Sequence, residues 1–202
     1  MAEGEVLIVV ISGPSGVGKS TVAETVLEKA PGLVRSVSLT TRNPRPGDVD
    51  GEDYHFVSPE EFAARRDEGG LLEWAEVHGN LYGTEVKQVE RQLAGGRSVL
   101  LEIDVQGGRS VKTARPGAVL IFLLPPSDEI LETRLRGRGT DDEDVILKRL
   151  ANARRELESA ECYDYRVVND ELDRCVSEVL GIIRVESMRR GTDGAKRGTE
   201  GV

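Results

Sequence analysis

Residues 6–21 read Val-Leu-Ile-Val-Val-Ile-Ser-Gly-Pro-Ser-Gly-Val-Gly-Lys-Ser-Thr, and this stretch decides the fold. The β-branched run Val6–Ile11 predicts a buried strand, and the apolar spacing after Thr21 predicts a helix. Between them, Gly13–Ser20 matches the pattern G-x-x-x-x-G-K-[ST], whose glycines let backbone N–H groups converge on a phosphate. The loop also leads into a helix N-terminus, where unpaired amides and the helix dipole favour an anion. The stretch therefore predicts a binding site for a nucleoside triphosphate.

Two side chains of this loop have expected roles. Lys19 is placed to reach the β- and γ-phosphates, and the Ser20 hydroxyl to ligate Mg²⁺. The alternative is an ordinary Gly-rich turn between a strand and a helix, but such a turn does not require Lys-Ser at this offset. The predicted contacts of the triphosphate are Gly13, Pro14, Ser15, Gly16, Val17, Gly18, Lys19, Ser20 and Thr21.

Composition narrows the class of protein. The 202 residues suffice for one globular domain with small inserted subdomains. The net charge of −9 argues against a nucleic-acid partner, because a protein that binds a polyanion needs a basic surface. Binding of a mononucleotide remains possible. The longest apolar runs, Val6–Ile11 and Ala118–Leu124, are too short to cross a bilayer, and the acidic start Met1–Glu5 is unlike a signal peptide. We therefore expect a cytoplasmic protein without a membrane partner, with Cys162 and Cys175 as free thiols.

Strands and helices alternate along the chain, which predicts an α/β fold with a parallel sheet of the P-loop NTPase type flanked by helices. The predicted strands after the first are Val34–Leu39, Tyr54–Val57, Leu71–Val77, Ser98–Asp104, Ala118–Leu124 and Tyr165–Asp170. Ser58, Thr84, Ser127 and Thr140 are predicted to cap helices, and the last predicted helix is Leu172–Val185.

Two regions depart from the simple alternation. Residues 35–84 combine short strands with one helix and are predicted to form a small mixed α/β insert. The tail from Arg189 is Gly-rich and polar without an apolar period, so we predict that it is disordered. Ligands of parallel α/β sheets bind beyond the carboxyl ends of the strands, and both Gly13–Ser20 and Asp104 fall there.

The insert carries a second group of anion-binding side chains. Arg42 and Arg45 flank Asn43-Pro44 on a loop that the proline restricts, and Tyr54 and Tyr82 can each donate a phenolic hydrogen bond. Together these four could satisfy the oxygens of one phosphate monoester. Either tyrosine alone could also be a core aromatic, and the arginines an exposed basic turn. The base-reading N-K-x-D pattern of GTPases is absent from the sequence.

With these features the chain resembles guanylate kinase over nearly all of its length. The matching segments, in order, are 12–21, 37–48, 51–57, 73–75, 82–84, 102–107, 138–140 and 168–170. The departures are an acidic N-terminal extension and the tail after Arg189. The resemblance implies a core P-loop domain (1–34, 85–125 and 160–188), a GMP-binding insert (35–84), a mobile helical lid with its following helix (126–159), and a disordered tail (189–202).

The resemblance also implies an activity, namely Mg²⁺-dependent transfer of the ATP γ-phosphoryl group to GMP, and to dGMP. It assigns the GMP phosphate to Arg42, Arg45, Tyr54 and Tyr82. It assigns the guanine base to Ser38, Glu73 and Thr84. Asp104 is expected beside the ribose and base or on Mg²⁺ through water, with Glu102 as a weaker candidate.

On the ATP side, the resemblance adds three residues to those of the loop: Arg134, Arg138 and Asn169. The residues expected to act on the transferred phosphoryl group are Lys19, Arg42, Arg138 and Arg149. From the residues alone, Arg134 and Arg149 could also be solvated helix residues. Asn169 is equally well explained as a polar residue that ends a strand.

A carboxylate at position 73 suits guanine chemically. Guanine presents N1–H and N2–H₂ side by side, and one carboxylate can accept from both, whereas adenine offers no such pair of donors. Without the resemblance, a solvated strand residue beside Trp74 is the more ordinary interpretation of Glu73.

Two other functions remain open on the sequence alone. A related kinase acting on a ribose bisphosphate would share the loop and the core, but would have no reason to keep Ser38, Glu73 and Thr84. A guanylate-kinase-like binding module of a scaffolding protein would typically have a degraded loop, whereas Lys19 and Ser20 are present here. The partners expected are therefore ATP and GMP, and the choice between a monomer and a homo-oligomer is left open.

Overall fold

The structure is a computed structural model that describes residues 5–77, 79–137 and 143–197. Its strands are β1 (Ile8–Ser12), β2 (Leu33–Arg35), β3 (Ser38–Thr40), β4 (Tyr54–Phe56), β5 (Leu71–Val77), β6 (Asn80–Glu85), β7 (Ser98–Glu102), β8 (Val119–Leu124) and β9 (Tyr165–Val168). Its helices are α1 (Lys19–Lys29), α2 (Pro59–Asp67), α3 (Val86–Ala94), α4 (Val105–Ala114), α5 (Asp128–Arg136), α6 (Glu143–Glu158) and α7 (Leu172–Arg197).

A five-stranded parallel sheet in the order β2-β7-β1-β8-β9 forms the centre of the protein. Because side chains alternate along a strand, Val9 and Ile11 pack on one face with α1 and α7, and Ile8 and Val10 pack on the other face with α3 and α4. Both faces are covered by helices, which explains the continuous apolar run in the sequence. The predicted α/β class and the predicted first strand are confirmed.

A second sheet, in the order β4-β3-β6-β5, is formed by residues 38–85. Its strands β3 and β4 are parallel, whereas β6 runs antiparallel to both β3 and β5. The prediction of one strand over Val34–Leu39 is wrong, because β2 pairs with β7 of the first sheet and β3 pairs within the second. The chain crosses between the sheets at Ser36, whose N–H donates to Leu100 O. The alternation of apolar residues in the sequence cannot reveal that the chain passes from one sheet to the other.

The predicted caps have different outcomes. Ser58 Oγ accepts the Glu61 N–H at 3.1 Å, and Ser127 Oγ accepts the Ile130 N–H at 3.3 Å, so both of these caps are confirmed. The predicted cap at Thr84 is wrong, because Thr84 lies inside β6 and its side chain is buried. Thr84 pairs with a residue of β5 across the ladder, and α3 begins only after Glu85. The predicted cap at Thr140 lies outside the described residues.

The C-terminal helix α7 is longer than the sequence suggested. Residues 189–197 continue α7, and residues 198–202 lie outside the described part, so the predicted disorder of the tail stays a prediction. Polar contacts are made at the start of this extension, where Arg189 pairs with Glu186 at 2.9 Å and Arg190 donates to Gly117 O. An apolar period does not reveal such contacts. Neither α7 nor any other helix in the described ranges is apolar enough over a sufficient length to cross a membrane.

Helices connect the two sheets. Helix α4, which follows β7 of the first sheet, packs against β5 of the second, and α3 connects β6 to β7. The carboxyl ends of β1 and β7 therefore face the second sheet across a shared space. The division into a core, an insert and a mobile lid concerns motion and stays a prediction.

Candidate functional site

The segment between β1 and α1 has a conformation that requires glycine. Gly16 and Gly18 have φ angles of +84° and +96°, in the left-handed region that residues with a Cβ rarely adopt. Gly16 also contacts α5, because a Cβ there would lie 2.8 Å from Leu135 Cδ2. The strand, the glycine-shaped loop and the helix that the G-x-x-x-x-G-K-[ST] pattern predicts are therefore present.

Charged side chains already contact this loop. Lys19 Nζ donates to the carbonyl oxygens of Gly13 at 2.7 Å and of Pro14 at 3.2 Å, so the lysine folds back over the loop. The Ser15 N–H donates to Glu156 Oε2 of α6 at 3.3 Å. A carboxylate thus contacts an amide that the pattern assigns to a phosphate oxygen. Glu156 was not predicted, because it lies 141 residues from Ser15 and no local pattern links the two.

The Ser20 hydroxyl contacts a carboxylate at the end of β7. Ser20 Oγ donates to Glu102 Oε1 at 2.5 Å, whereas Asp104 Oδ1 accepts the Gly107 N–H at 2.8 Å and caps α4. The residue that contacts Ser20 is therefore Glu102, which the sequence analysis ranked below Asp104. A hydroxyl and a carboxylate beside a phosphate-binding loop suit Mg²⁺, which prefers oxygen ligands and completes its shell with waters and substrate phosphates.

A cavity of about 450 Å³ connects the loop to the second sheet. Its lining from the loop and α1 includes Gly13, Ser15, Lys19 and Ser20. Its lining from the second sheet includes Ser38, Tyr54, Glu73 and Tyr82. Glu102, Asp104 and Glu156 line the same space. The predicted triphosphate site and most of the predicted acceptor site therefore share one cavity.

Three of the four predicted phosphate-binding side chains lie together. The Arg42 guanidinium lies 5.3 Å from the centre of the Tyr54 ring, and the Tyr54 and Tyr82 rings are 5.8 Å apart. Arg42 also pairs with Asp48 at 2.8 Å. Arg45 is exposed, and its backbone N–H donates to the same Asp48 carboxylate at 2.7 Å. That N–H, together with the Arg42 guanidinium, holds the pKa of Asp48 below its ordinary value.

Neither arginine is among the described residues that line the cavity. Arg35 lines it instead, and its guanidinium lies 3.7 Å from the Glu24 carboxylate. Arg35 belongs to the same local cluster of positive charge as Arg42 and Arg45 in the sequence, but it was not predicted as a site residue. Its position at the carboxyl end of β2 is seen only in the structure, because the sequence predicted one strand over Val34–Leu39.

Glu73 is a buried carboxylate, with 5% of its surface exposed. It lies on β5 opposite Thr84 of β6, and the Thr84 hydroxyl donates to Glu73 Oε1 at 2.7 Å. Burial raises the pKa of Glu73 to about 7, against the lowering effect of the Thr84 hydrogen bond. The nearby Asp104 charge raises this pKa further. The ordinary interpretation of Glu73 as a solvated strand residue is therefore wrong.

The predicted ATP-side residues Arg134 and Asn169 contact the end of the loop. Arg134 donates to Val17 O at 3.2 Å and to Asn169 O at 2.9 Å, and Asn169 Nδ2 donates to Val17 O at 2.7 Å. These bonds join α5 and the end of β9 to the loop. Arg149 lies on α6, half-buried, two turns before Glu156. Arg138 lies outside the described residues.

The sequence profile of the family described as "Guanylate kinase" matches residues 6–186, which include every one of the site residues above. The chain belongs to the guanylate kinase family. Curated relatives agree with this assignment. The chain is 51% identical to a guanylate kinase of Synechocystis sp. over 179 residues, which are 89% of this chain and 94% of that protein. It is 51% identical to a guanylate kinase of Mycobacterium sp. over 178 residues, which are 87% of this chain and 90% of that protein.

The guanylate kinase fold is seen in a solved structure as well. The crystal structure of guanylate kinase from Anaplasma phagocytophilum superimposes with a TM-score of 0.77 at 38% sequence identity. The superposition covers 93% of this chain and 89% of that one.

Proposed function

We propose that the protein transfers the γ-phosphoryl group of ATP to a phosphate oxygen of GMP, giving ADP and GDP. The observation that carries this proposal is the shared cavity, which has the Gly13–Ser20 loop at one side and the buried Glu73 carboxylate at the other. The loop suits a triphosphate, and a buried carboxylate, which can accept from two adjacent donors, suits the guanine edge. The two substrates then meet within one space.

On the ATP side, the proposed contacts are the loop amides, Lys19 and Ser20. Lys19 now donates to the carbonyls of Gly13 and Pro14, and the same ammonium group would turn to the β- and γ-phosphates when ATP binds. Ser20 and Glu102 would hold Mg²⁺, directly or through water. The ion would neutralise charge on the phosphates.

On the GMP side, the proposed phosphate contacts are Arg42, Arg45, Tyr54 and Tyr82. Arg42 has a planar guanidinium that can bind two phosphate oxygens at once, and Asp48 now occupies part of that guanidinium. The GMP phosphate must therefore displace or share the Asp48 contact. The phenolic hydroxyls supply neutral donors, so the site does not accumulate excess positive charge.

For the chemical step, the nucleophile is a phosphate oxygen that is already anionic at neutral pH. No general base is required, and the enzyme has to align the two polyanions and neutralise the charge on the moving phosphoryl group. Lys19 and Arg42 approach it from the two substrate sides, and Arg138 and Arg149 are proposed to arrive from the lid. Closure excludes water that would otherwise hydrolyse ATP.

The substrate assignment is tested by a coupled assay of ADP formation with GMP, AMP and a ribose bisphosphate as acceptors. We expect turnover with GMP, a kcat/KM with AMP that is lower by about 10²-fold or more, and no turnover with the ribose bisphosphate. Equal rates with GMP and AMP would contradict the proposed role of Glu73. Preference for the ribose bisphosphate would indicate the related sugar-phosphate kinase activity instead.

The raised pKa of Glu73 predicts that GMP binds more tightly as the pH rises through about 7. Below that pH the free enzyme carries a proton on Glu73, and this proton must leave before both carboxylate oxygens can accept from guanine. The Kd for GMP is expected to be about tenfold higher one pH unit below the pKa than on the alkaline plateau. Calorimetric titration with GMP at several pH values around 7 measures this Kd.

The GMP phosphate also titrates near pH 6 and needs a control. The Glu73→Gln variant retains the phosphate titration but lacks the titrating carboxyl, so its Kd should change less with pH than that of the wild type. The same pH profile in both proteins would exclude Glu73 as the titrating group.

We place the reaction in the cytoplasm, where ATP, GMP and Mg²⁺ are available together. Cys162 and Cys175 are free thiols in the structure, which suits a reducing compartment.

A further inference from the structure

Gly107, in the first turn of α4, touches the carboxylate proposed to read the base. A Cβ on Gly107 would lie 2.6 Å from Glu73 Oε2, well inside the contact distance of a carbon and an oxygen. Gly107 lies on α4, which packs on the parallel sheet, whereas Glu73 lies on β5 of the second sheet. The close approach is therefore a tertiary contact across the junction of the two sheets.

The backbone of Gly107 does not itself require glycine. It lies in α4 with an ordinary helical conformation and is not among the glycines of positive φ in the described chain. Alanine has a higher intrinsic helix propensity than glycine, so local preference alone would favour a side chain here. Position 107 carries no side chain because Glu73 occupies the space that a side chain would need.

The helix has little freedom to move away from an added methyl group. Asp104 holds its first turn by accepting the Gly107 N–H at 2.8 Å, and the Gly108 N–H donates to Asp104 O at 3.0 Å. Gly108 is packed equally closely, because a Cβ there would lie 2.3 Å from the Tyr163 hydroxyl. In contrast, Glu73 Oε2 is the end of a side chain and can rotate. A methyl group at position 107 would therefore move the carboxylate and leave the helix in place.

We infer that Gly107 is a specificity-determining residue, whose missing side chain lets the Glu73 carboxylate take the position from which it reads guanine. Thr84 fixes Oε1 at 2.7 Å, and Gly107 leaves room for Oε2, so the two residues together define the plane of the carboxylate. This inference rests on the proposed function. Gly107 acts on the substrate through Glu73, so it is a positioning residue and not a catalytic one.

The test is the Gly107→Ala variant, assayed with GMP and with IMP, which has guanine's N1–H but lacks its N2 amino group. We expect the KM for GMP to rise about tenfold or more, the ratio of kcat/KM for GMP over IMP to fall by a similar factor, and the Kd for ATP to stay within about twofold. A GMP-over-IMP ratio within about twofold of the wild type would overturn the inference.

Two further variants separate positioning from packing. Gly108→Ala is the matched control on the same helix, and it should lower the thermal midpoint while it leaves the GMP-over-IMP ratio unchanged. In a Glu73→Gln background, Gly107→Ala should change that ratio no further, because the group through which it acts is gone. An equal fall of the ratio in both backgrounds would overturn the inference. If the wild type does not phosphorylate GMP, the proposed function fails, and this inference fails with it. If the wild type prefers GMP over IMP and the Gly107→Ala variant prefers it equally, only the inference is refuted.

Discussion

The Lys19→Ala variant is expected to lose kcat by about 10²–10³-fold with ATP and GMP as substrates. Lys19 carries a charge that is held at the loop by two backbone carbonyls, within the cavity where the phosphates are proposed to bind. Its proposed target is the charge that develops on the γ-phosphoryl group during transfer. Because that interaction strengthens in the transition state, kcat should fall more than the affinity for ATP.

The measurement is the coupled assay at saturating concentrations of both nucleotides. Lys29→Ala is the matched control, since Lys29 ends the same helix and makes an exposed ion pair with Asp173 at 3.3 Å. Its kcat should stay within about twofold of the wild type, as expected for a surface pair. A Lys19→Ala variant with full turnover would contradict the proposed mechanism.

The Glu73→Gln variant is expected to lower kcat/KM for GMP by about 10²-fold or more and to narrow the preference for GMP over AMP. The amide has one acceptor oxygen where the carboxylate has two, and its NH₂ group faces the donors of guanine. The loss should therefore lie chiefly in GMP binding and much less in ATP binding. Glu76→Gln is the control, since Glu76 lies on the same strand with an exposed side chain. Unchanged selectivity in Glu73→Gln would exclude this carboxylate as the base reader.

The same variant should be more stable than the wild type at alkaline pH. The folded-state pKa of Glu73 is about 7, above its ordinary value of 4.5, so the folded protein binds more protons than the unfolded chain between these values. Stability is therefore lost as the pH rises through this window, by up to about 3 kcal/mol. Glutamine removes this dependence, and the difference between the thermal midpoints of the two proteins should widen from about pH 5 to pH 8.

The loop and the parallel sheet were predictable because their signals are local. A β-branched strand, glycines at fixed offsets and the Lys-Ser pair at 19 and 20 lie within one short stretch, and each has a physical reason to occur there. The caps at Ser58 and Ser127 were predicted for the same reason. The division of Val34–Leu39 between two sheets was not predictable, because the partners of β2 and β3 lie far away in sequence.

The base-reading part of the acceptor side depends on tertiary contacts and was predicted only through the resemblance. The burial of Glu73 results from packing of β5 against α4 and β6, and no pattern around Trp74 distinguishes it from an exposed strand residue. Glu156 at the loop and Gly107 beside Glu73 were missed, since each meets its partner across distant parts of the chain. Thr84 was predicted as a helix cap because the sequence does not distinguish a hydroxyl that precedes a helix from one that faces a buried carboxylate.

A crystal structure of the protein with GMP bound tests the central claim most directly. We expect both Glu73 carboxylate oxygens to lie about 2.7–3.2 Å from the guanine N1 and N2 atoms. The phosphate should lie among Arg42, Arg45, Tyr54 and Tyr82, facing the loop that holds Lys19. A guanine base bound elsewhere, with Glu73 still bonded only to Thr84, would contradict the account.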